Sequence, residues 1–319
     1  MKIPSILKKK VIRCFGPRGK QWLHKLPQLF ERCVEQWNLT RCRNSPVMSH
    51  SYVCFAHSPD YGDVALKIAV PHNELFTEMT ALSVYPGENI CCLYESSQEL
   101  GAMLLEKISP GGDLTTLPDR SQRIDVAADL VSRLPVRLKK SCHLPLLPQL
   151  AKKTFARLQK EHPEEEQMLG FVQKAERLIS DLYCSPRPRV LLHGDLNHWN
   201  ILKDGQNGWR AIDPKGQEGV ACMEAARFMI NELDMASADK WSDCLEQMTA
   251  VFSCRLNEPE SIITLCSFVD KVVSTCWKFE EHIQRDLTAD VQQCASLWKH
   301  YEEKFLRQTL SRVQRTEPL

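Results

Sequence analysis

The chain has 319 residues, enough for one large or two modest domains with their own cores, so no disulfide or metal staple is needed for folding. Hydrophobic residues make up 43% and charged residues 25%, which excludes a disordered or fibrous chain. Lys and Arg total 41 against 40 acidic residues, and a net charge of +1 gives no global field to draw in nucleic acid or an anionic membrane. Neither is expected as a partner, and any charge-based recognition must be local.

Residues 1–16 place Lys8-Lys9-Lys10 after only a few apolar residues, the wrong charge order and apolar length for a secretory signal. No window reaches the roughly 20 apolar residues of a membrane span. The 14 Cys are scattered without the paired spacing of a zinc site or redox motif, which reads as free thiols in a reducing cytoplasm. A cytoplasmic protein is therefore expected.

Apolar residues at helical spacing predict an amphipathic helix over 20–37. Two β-rich runs, 52–56 and 63–70, flank the turn Ser58-Pro59-Asp60-Tyr61-Gly62 and predict a hairpin. A helix over 73–84 ends at Tyr85-Pro86-Gly87, and strands at 90–94 and 102–107 precede the turn Ser109-Pro110-Gly111-Gly112. Beyond it the pattern turns to long helices, at 121–133, 147–160, 164–180 and nearly throughout 223–312. Only strand-like pieces at 190–192, 201–202 and 209–212 interrupt them. The expected fold is α+β and two-lobed, with a small sheet-rich lobe over 1–107, a larger mainly helical lobe over 108–319, and a cleft where they meet near Lys107. There is no internal repeat.

The residues with chemical potential fall in both lobes. Lys67 lies in the apolar run Val64-Ala65-Leu66-Lys67-Ile68-Ala69, where a lysine costs desolvation unless it has a partner or ligand. Glu78 on the next helix is a suitable partner, and such a pair can hold the α and β phosphates of ATP. Strand alternation equally permits Lys67 on a solvated face. In the second lobe, Leu191-Leu192-His193-Gly194-Asp195 leads to Asn200, five positions after the Asp, and then to Ala211-Ile212-Asp213-Pro214, with Asp213 thirteen positions beyond the Asn. An isolated His-Gly-Asp turn or turn amide is common. The full combination supplies what phosphoryl transfer needs: a carboxylate for the attacking hydroxyl and two oxygen ligands for Mg²⁺.

These motifs resemble the aminoglycoside phosphotransferases, and most closely the branch that holds the streptomycin 6-kinases and hydroxyurea phosphotransferases, to which Ile212-Asp213-Pro214-Lys215-Gly216 is particular. Lys67, Glu78-Met79-Thr80-Ala81-Leu82 and Leu104-Leu105-Glu106-Lys107-Ile108-Ser109-Pro110-Gly111 also match, so the resemblance spans roughly 50–230. It implies a protein-kinase-like fold and an ATP- and Mg²⁺-dependent transfer of the γ-phosphate to a hydroxyl of a small molecule, an aminoglycoside, aminocyclitol or related polyol. On it, Asp195 is the catalytic base or hydroxyl-orienting carboxylate and His193 braces its loop. Asn200 and Asp213 hold Mg²⁺, Lys67 braced by Glu78 binds phosphate, and backbone groups of Glu106 to Ile108 meet the adenine edge.

Two departures stand out. The loop over 44–51 has no glycine, so Ser49 and Ser51 are the groups available to cover the phosphates. The family's Gly-Asp-Pro acid is absent, and Glu224 takes the position of the next aspartate. For a cationic acceptor the candidate carboxylates are Glu224, Glu232, Asp234, Glu280, Glu281 and Asp286, each of which also reads as an ordinary surface charge. Trp199 is placed either to flank the acceptor or to pack under the loop. A nucleotide-binding pseudokinase acting as an interaction module is the alternative. A protein kinase lacks support, since His-Arg-Asp, Asp-Phe-Gly and Ala-Pro-Glu segments are missing.

Overall fold

The computed structural model describes residues 3–138, 144–280 and 286–306. Its first helix, α1 (Ser5–Gln36), starts well before the expected 20–37 because Gly16, at φ 53°, bends the chain between two helical stretches and shifts the phase of the apolar pattern. Leu7 and Val11 are buried before the bend, and Trp22, Leu26 and Cys33 after it.

Strand β1 (Thr40–Asn44) is exposed along its length, with no alternation to announce it, and exists by pairing with β2. The expected hairpin forms as β2 (Tyr52–Ser58) and β3 (Gly62–Ile68), in which every second residue of β2 is buried. Helix α2 (Asn73–Val84) has the expected bounds. The strand expected at 90–94 is displaced to β4 (Leu93–Ser97), because Ile90 and Cys91 are buried in a core-filling loop with one isolated bridge from Ile90 to Ala211. Strand β5 (Ala102–Glu106) follows, and the turn expected at 109–112 is largely the short strand β6 (Pro110–Asp113).

Helix α3 (Arg120–Arg133) is capped by Asp119, whose side chain accepts the Gln122 N–H. Strand β7 (Val136–Arg137), α4 (Leu147–Glu161), α5 (Glu166–Cys184) and β8 (Arg189–Leu192) come next. After them come β9 (Ile201–Asp204), β10 (Gly208–Ala211) and β11 (Gln217–Val220). The helical expectation beyond 223 resolves into α6 (Glu224–Met235), α7 (Trp241–Leu256), α8 (Glu260–Glu280) and α9 (Thr288–Tyr301). Glu281 and the helical expectation for 307–312 lie outside the described residues.

By contact the chain divides into two units. The first is the chain through Asp113 together with Ile201–Gly216, and the second is Leu114–Asn200 with the chain from Gln217 onward. A single cut at 107 does not follow this division, since β9 and β10 form a three-stranded sheet with β6. Arg210 on β10 makes the attachment chemical. Its guanidinium donates to both Glu106 carboxylate oxygens at 2.5 and 2.7 Å, to Asp204 at 3.1 Å and to the Gly87 and Ile90 carbonyls. The main sheet of this unit runs β1-β2-β3-β5-β4 and is antiparallel, with β3 between β2 and β5. In the second unit β11-β8-β7 form a small sheet, and α4, α5, α6, α7 and α9 each pack on α8.

Candidate active site

Lys67 sits in β3, the central strand, with Val53 on β2 and Met103 on β5 as its cross-strand neighbours. It is 7% exposed, and its ammonium donates to Glu78 Oε1 at 2.6 Å and Asp213 Oδ1 at 3.1 Å. Burial opposes the charge, but the Asp213 and Glu78 carboxylates outweigh it and raise the Lys67 pKa above its usual value. Burial pushes the Glu78 carboxyl up against the pull of Lys67. A lysine bound to two carboxylates this far from water is held cationic and fixed in place, which suits it to bind anionic oxygens.

The loop of Asp213 is docked on the helix that carries Glu78. The Thr77 hydroxyl donates to the Lys215 carbonyl at 2.6 Å, and Gly216 passes against Thr77 and Ala81. Asp213 itself adopts a left-handed φ of 57°, and its side chain is 45% exposed. The Asp-Pro-Lys-Gly sequence therefore has a local cause: it turns the carboxylate out of the core while its last residues anchor to α2.

In the second unit β8 delivers His193, Gly194 and Asp195. His193 is fully buried, and its Nδ1 accepts the Asp195 backbone N–H at 3.2 Å, so it braces the turn. Asn200 Nδ2 donates to the Asp195 carbonyl at 2.9 Å, which ties the amide to the loop and leaves its Oδ1 as the oxygen available to a cation. The Asn197 side chain caps the backbone N–H groups of Trp199 and Asn200. Trp199 is 55% exposed, so it does not pack beneath the loop.

Glu224, expected among the acceptor contacts, is 2% exposed, and its two oxygens accept the backbone N–H groups of His193 at 2.6 Å and Gly194 at 3.1 Å. It is a brace for the His193–Gly194 turn, because both oxygens are occupied and the side chain is buried. Burial pushes its carboxyl up to about 7, with the two N–H groups pulling the other way. Glu232 is corrected in the same manner. It is 1% exposed and accepts from Arg123 at 2.5 and 3.0 Å, with His198 Nε2 at 2.6 Å. Asp234 pairs with Lys271, Glu280 with Arg157, and Asp286 caps the Thr288 N–H.

The charged residues that do stand beside Asp195 escaped sequence reasoning. Arg227 on α6 has Nε 3.7 Å from Asp195 Oδ1 and a terminal nitrogen 3.2 Å from Asp270 Oδ1 on α8. Arg227 follows Glu224 by three positions, the helical spacing that puts both on one face, and that spacing was the available signal.

At the expected adenine edge, the Glu106 N–H donates to the Cys92 carbonyl and its carboxylate accepts from Arg210 and from the Cys92 N–H, while Ile108 is buried just beyond the end of β5. The glycine-free loop joins β1 to β2 and is held by its own side chains. Ser45 Oγ bonds the Val47 N–H and carbonyl, Ser49 Oγ bonds His50 Nδ1, and Tyr52 donates to Asn44.

Asp213 offers carboxylate oxygens in the first unit and Asn200 an amide oxygen in the second, each a hard donor of the kind Mg²⁺ takes. Among the described residues, no group of three His, Cys, Asp or Glu is placed to hold a metal ion. Among the same residues, no helix is long and apolar enough to cross a membrane.

Comparison with known proteins gives the chain a family and a fold. Residues 36–278 match the family of aminoglycoside/hydroxyurea antibiotic resistance kinases. A streptomycin 6-kinase of Streptomyces glaucescens is 25% identical over 292 residues, 90% of each chain. The streptomycin 6-kinase of Streptomyces griseus is 28% identical over 67% of this chain and 69% of its own. A hydroxyurea phosphotransferase of Kitasatospora aureofaciens is 28% identical over 72% of this chain and 68% of its own. Among solved structures, the choline kinase LicA from Streptococcus pneumoniae superposes with a TM-score of 0.61 at 14% identity, covering 87% of this chain and all of that one, and so shares the protein-kinase-like fold. Since the family match covers well over half of the chain, it belongs to the aminoglycoside/hydroxyurea antibiotic resistance kinases.

Proposed function

We propose that this enzyme transfers the γ-phosphoryl group of ATP to a hydroxyl of a small polyol or aminocyclitol of the streptomycin type. The observation that carries the reading is the buried Lys67 bound to both Glu78 and Asp213, which couples a phosphate-binding cation to a metal-binding carboxylate. The streptomycin 6-kinases among its relatives favour an aminoglycoside as acceptor.

In this reading Lys67 binds phosphate oxygens, with Glu78 fixing its position. Asp213 and Asn200 supply oxygen ligands for Mg²⁺, which when bound offsets the charge of the phosphates. Asp195 orients the acceptor hydroxyl. As the acceptor oxygen bonds to the γ-phosphorus, the bond from phosphorus to the β,γ-bridging oxygen breaks, ADP leaves, and the hydroxyl proton departs toward the Asp195 carboxylate. Glu224 holds the turn that presents Asp195, and backbone groups of Glu106 to Ile108 receive the adenine edge. Trp199, exposed on the same loop, offers an aromatic face to the acceptor.

The test is ATP turnover with streptomycin and a panel of hydroxylated amines and polyols, with Asp195→Ala as control. Acceptor-dependent ADP release by wild type alone supports the reading. Mg²⁺-dependent ATP binding with equal inertness of wild type and mutant across the panel would overturn it in favour of a pseudokinase.

A further inference from the structure

Helix α6 grips the catalytic turn twice. Glu224 takes its backbone N–H groups, and Arg227, one helical turn later, faces the Asp195 side chain. The guanidinium is fixed from its far side, with a terminal nitrogen 3.2 Å from Asp270 Oδ1 and its central carbon 5.8 Å from the Trp277 ring centroid. Nε, by contrast, is buried and has no hydrogen-bond partner. It lies 3.7 Å from Asp195 Oδ1, an ion pair just outside hydrogen-bond length. A cavity of about 20 Å³, lined by Gly194, Gln217, Glu224, Arg227 and Asp270 among others, leaves room there for no more than one water.

A buried donor left unsatisfied costs free energy, and the cation it belongs to cannot turn away without losing Asp270. Closing the gap to Asp195 by about half an ångström or more would satisfy it. A carboxylate gripped through one oxygen presents the other in a fixed direction, and orientation of this kind is a large part of what phosphoryl transfer asks of a protein.

We propose that Arg227, anchored by Asp270, is the positioning residue for Asp195, holding Oδ1 so that Oδ2 is the oxygen offered to the acceptor hydroxyl. The proposal rests on the phosphotransferase reading above. It separates the two roles open to Asp195, since a carboxylate paired with a fixed guanidinium is a weakened base and a well-aimed hydrogen-bond acceptor.

The experiment compares wild type, Arg227→Lys, Arg227→Gln and Asp270→Asn in steady-state kinetics, together with a double-mutant cycle of Asp195→Asn and Arg227→Gln read by urea unfolding. Arg227→Gln is expected to lower kcat at least about tenfold with the KM for ATP within about twofold, and Arg227→Lys to recover part of the loss. Asp270→Asn, which keeps the guanidinium but frees its far end, is expected to fall between them. In the cycle the two substitutions should be non-additive. An unchanged kcat in Arg227→Gln, or a lysine variant no better than the glutamine one, overturns the proposal. If wild type phosphorylates nothing in the panel, the phosphotransferase reading is what fails. The cycle still decides the contact, because additive effects on unfolding would show that Arg227 does not hold Asp195.

Discussion

Thr77 meets the loop of Lys215 and Gly216 at two points. Its hydroxyl donates to the Lys215 carbonyl at 2.6 Å, and its own carbonyl oxygen would stand 2.6 Å from a Cβ on Gly216. The loop approaches α2 as closely as a residue without a side chain permits.

Replacement Gly216→Ala should therefore push the Asp213 loop off α2. The clash involves backbone and the Ala81 Cβ, neither of which can swing aside, and φ is +70° besides. A loss of roughly 2 kcal/mol or more in urea unfolding is expected, with reduced ATP turnover. Full stability in this variant would mean the loop has slack.

Lys67→Met should cost more than Glu78→Gln. Without the lysine, Glu78 is left as a buried uncompensated carboxylate, a defect of about 3 kcal/mol, whereas without the Glu78 charge the ammonium keeps Asp213. Both variants should raise the KM for ATP, the methionine more strongly. Urea midpoints and ATP titrations of the pair check the order.

Stability should respond to pH in two opposite ways. Glu232 is buried, which opposes its charge, yet the hydrogen bonds from His198 and Arg123 prevail and hold it at about 2. An unfolded Glu titrates near ~4.3, so this contribution is complete above that pH and lost as pH falls toward 2, by about 3 kcal/mol in all. Glu224, pushed up to about 7 by burial, keeps in the folded state a proton that the unfolded chain releases above ~4.3. Its contribution is complete at low pH and lost as pH rises through about 7. Urea midpoints from about pH 3 to about pH 8 should show both slopes, and Glu224→Gln should flatten only the upper one.

Trp199→Ala should leave stability within about 0.5 kcal/mol, since the ring is more than half exposed. The KM for the acceptor should rise roughly fivefold, the worth of one aromatic contact, with the KM for ATP unchanged. Equal changes in both constants would remove Trp199 from the acceptor side.

The apolar runs that flank His193, Asn200 and Asp213 were readable as strands and form as β8, β9 and β10. The helix 73–84 and the β2–β3 hairpin were readable because their apolar periods are unbroken. β1 was not, since an edge strand held by backbone pairing needs no apolar residue. The early part of α1 was lost where Gly16 shifts the helical phase. Glu224 and Glu232 looked like surface acids because helical acids usually are, and only the fold shows backbone N–H groups and Arg123 waiting for them. Arg227 was passed over because nothing in the sequence shows that it stands beside the Asp195 carboxylate, with Asp270, forty-three positions away, sharing it.

The chain leaves its first unit after Asp113, returns for Ile201–Gly216 and leaves again. Dissection by truncation is thereby blocked. A fragment ending at Asp113 would keep Lys67 and Glu78 but lack Asp213, and it would strand Glu106 without the Arg210 guanidinium that anchors it. The first unit taken alone has to be built as a fusion, with the sixteen returning residues grafted after Asp113 through a short linker.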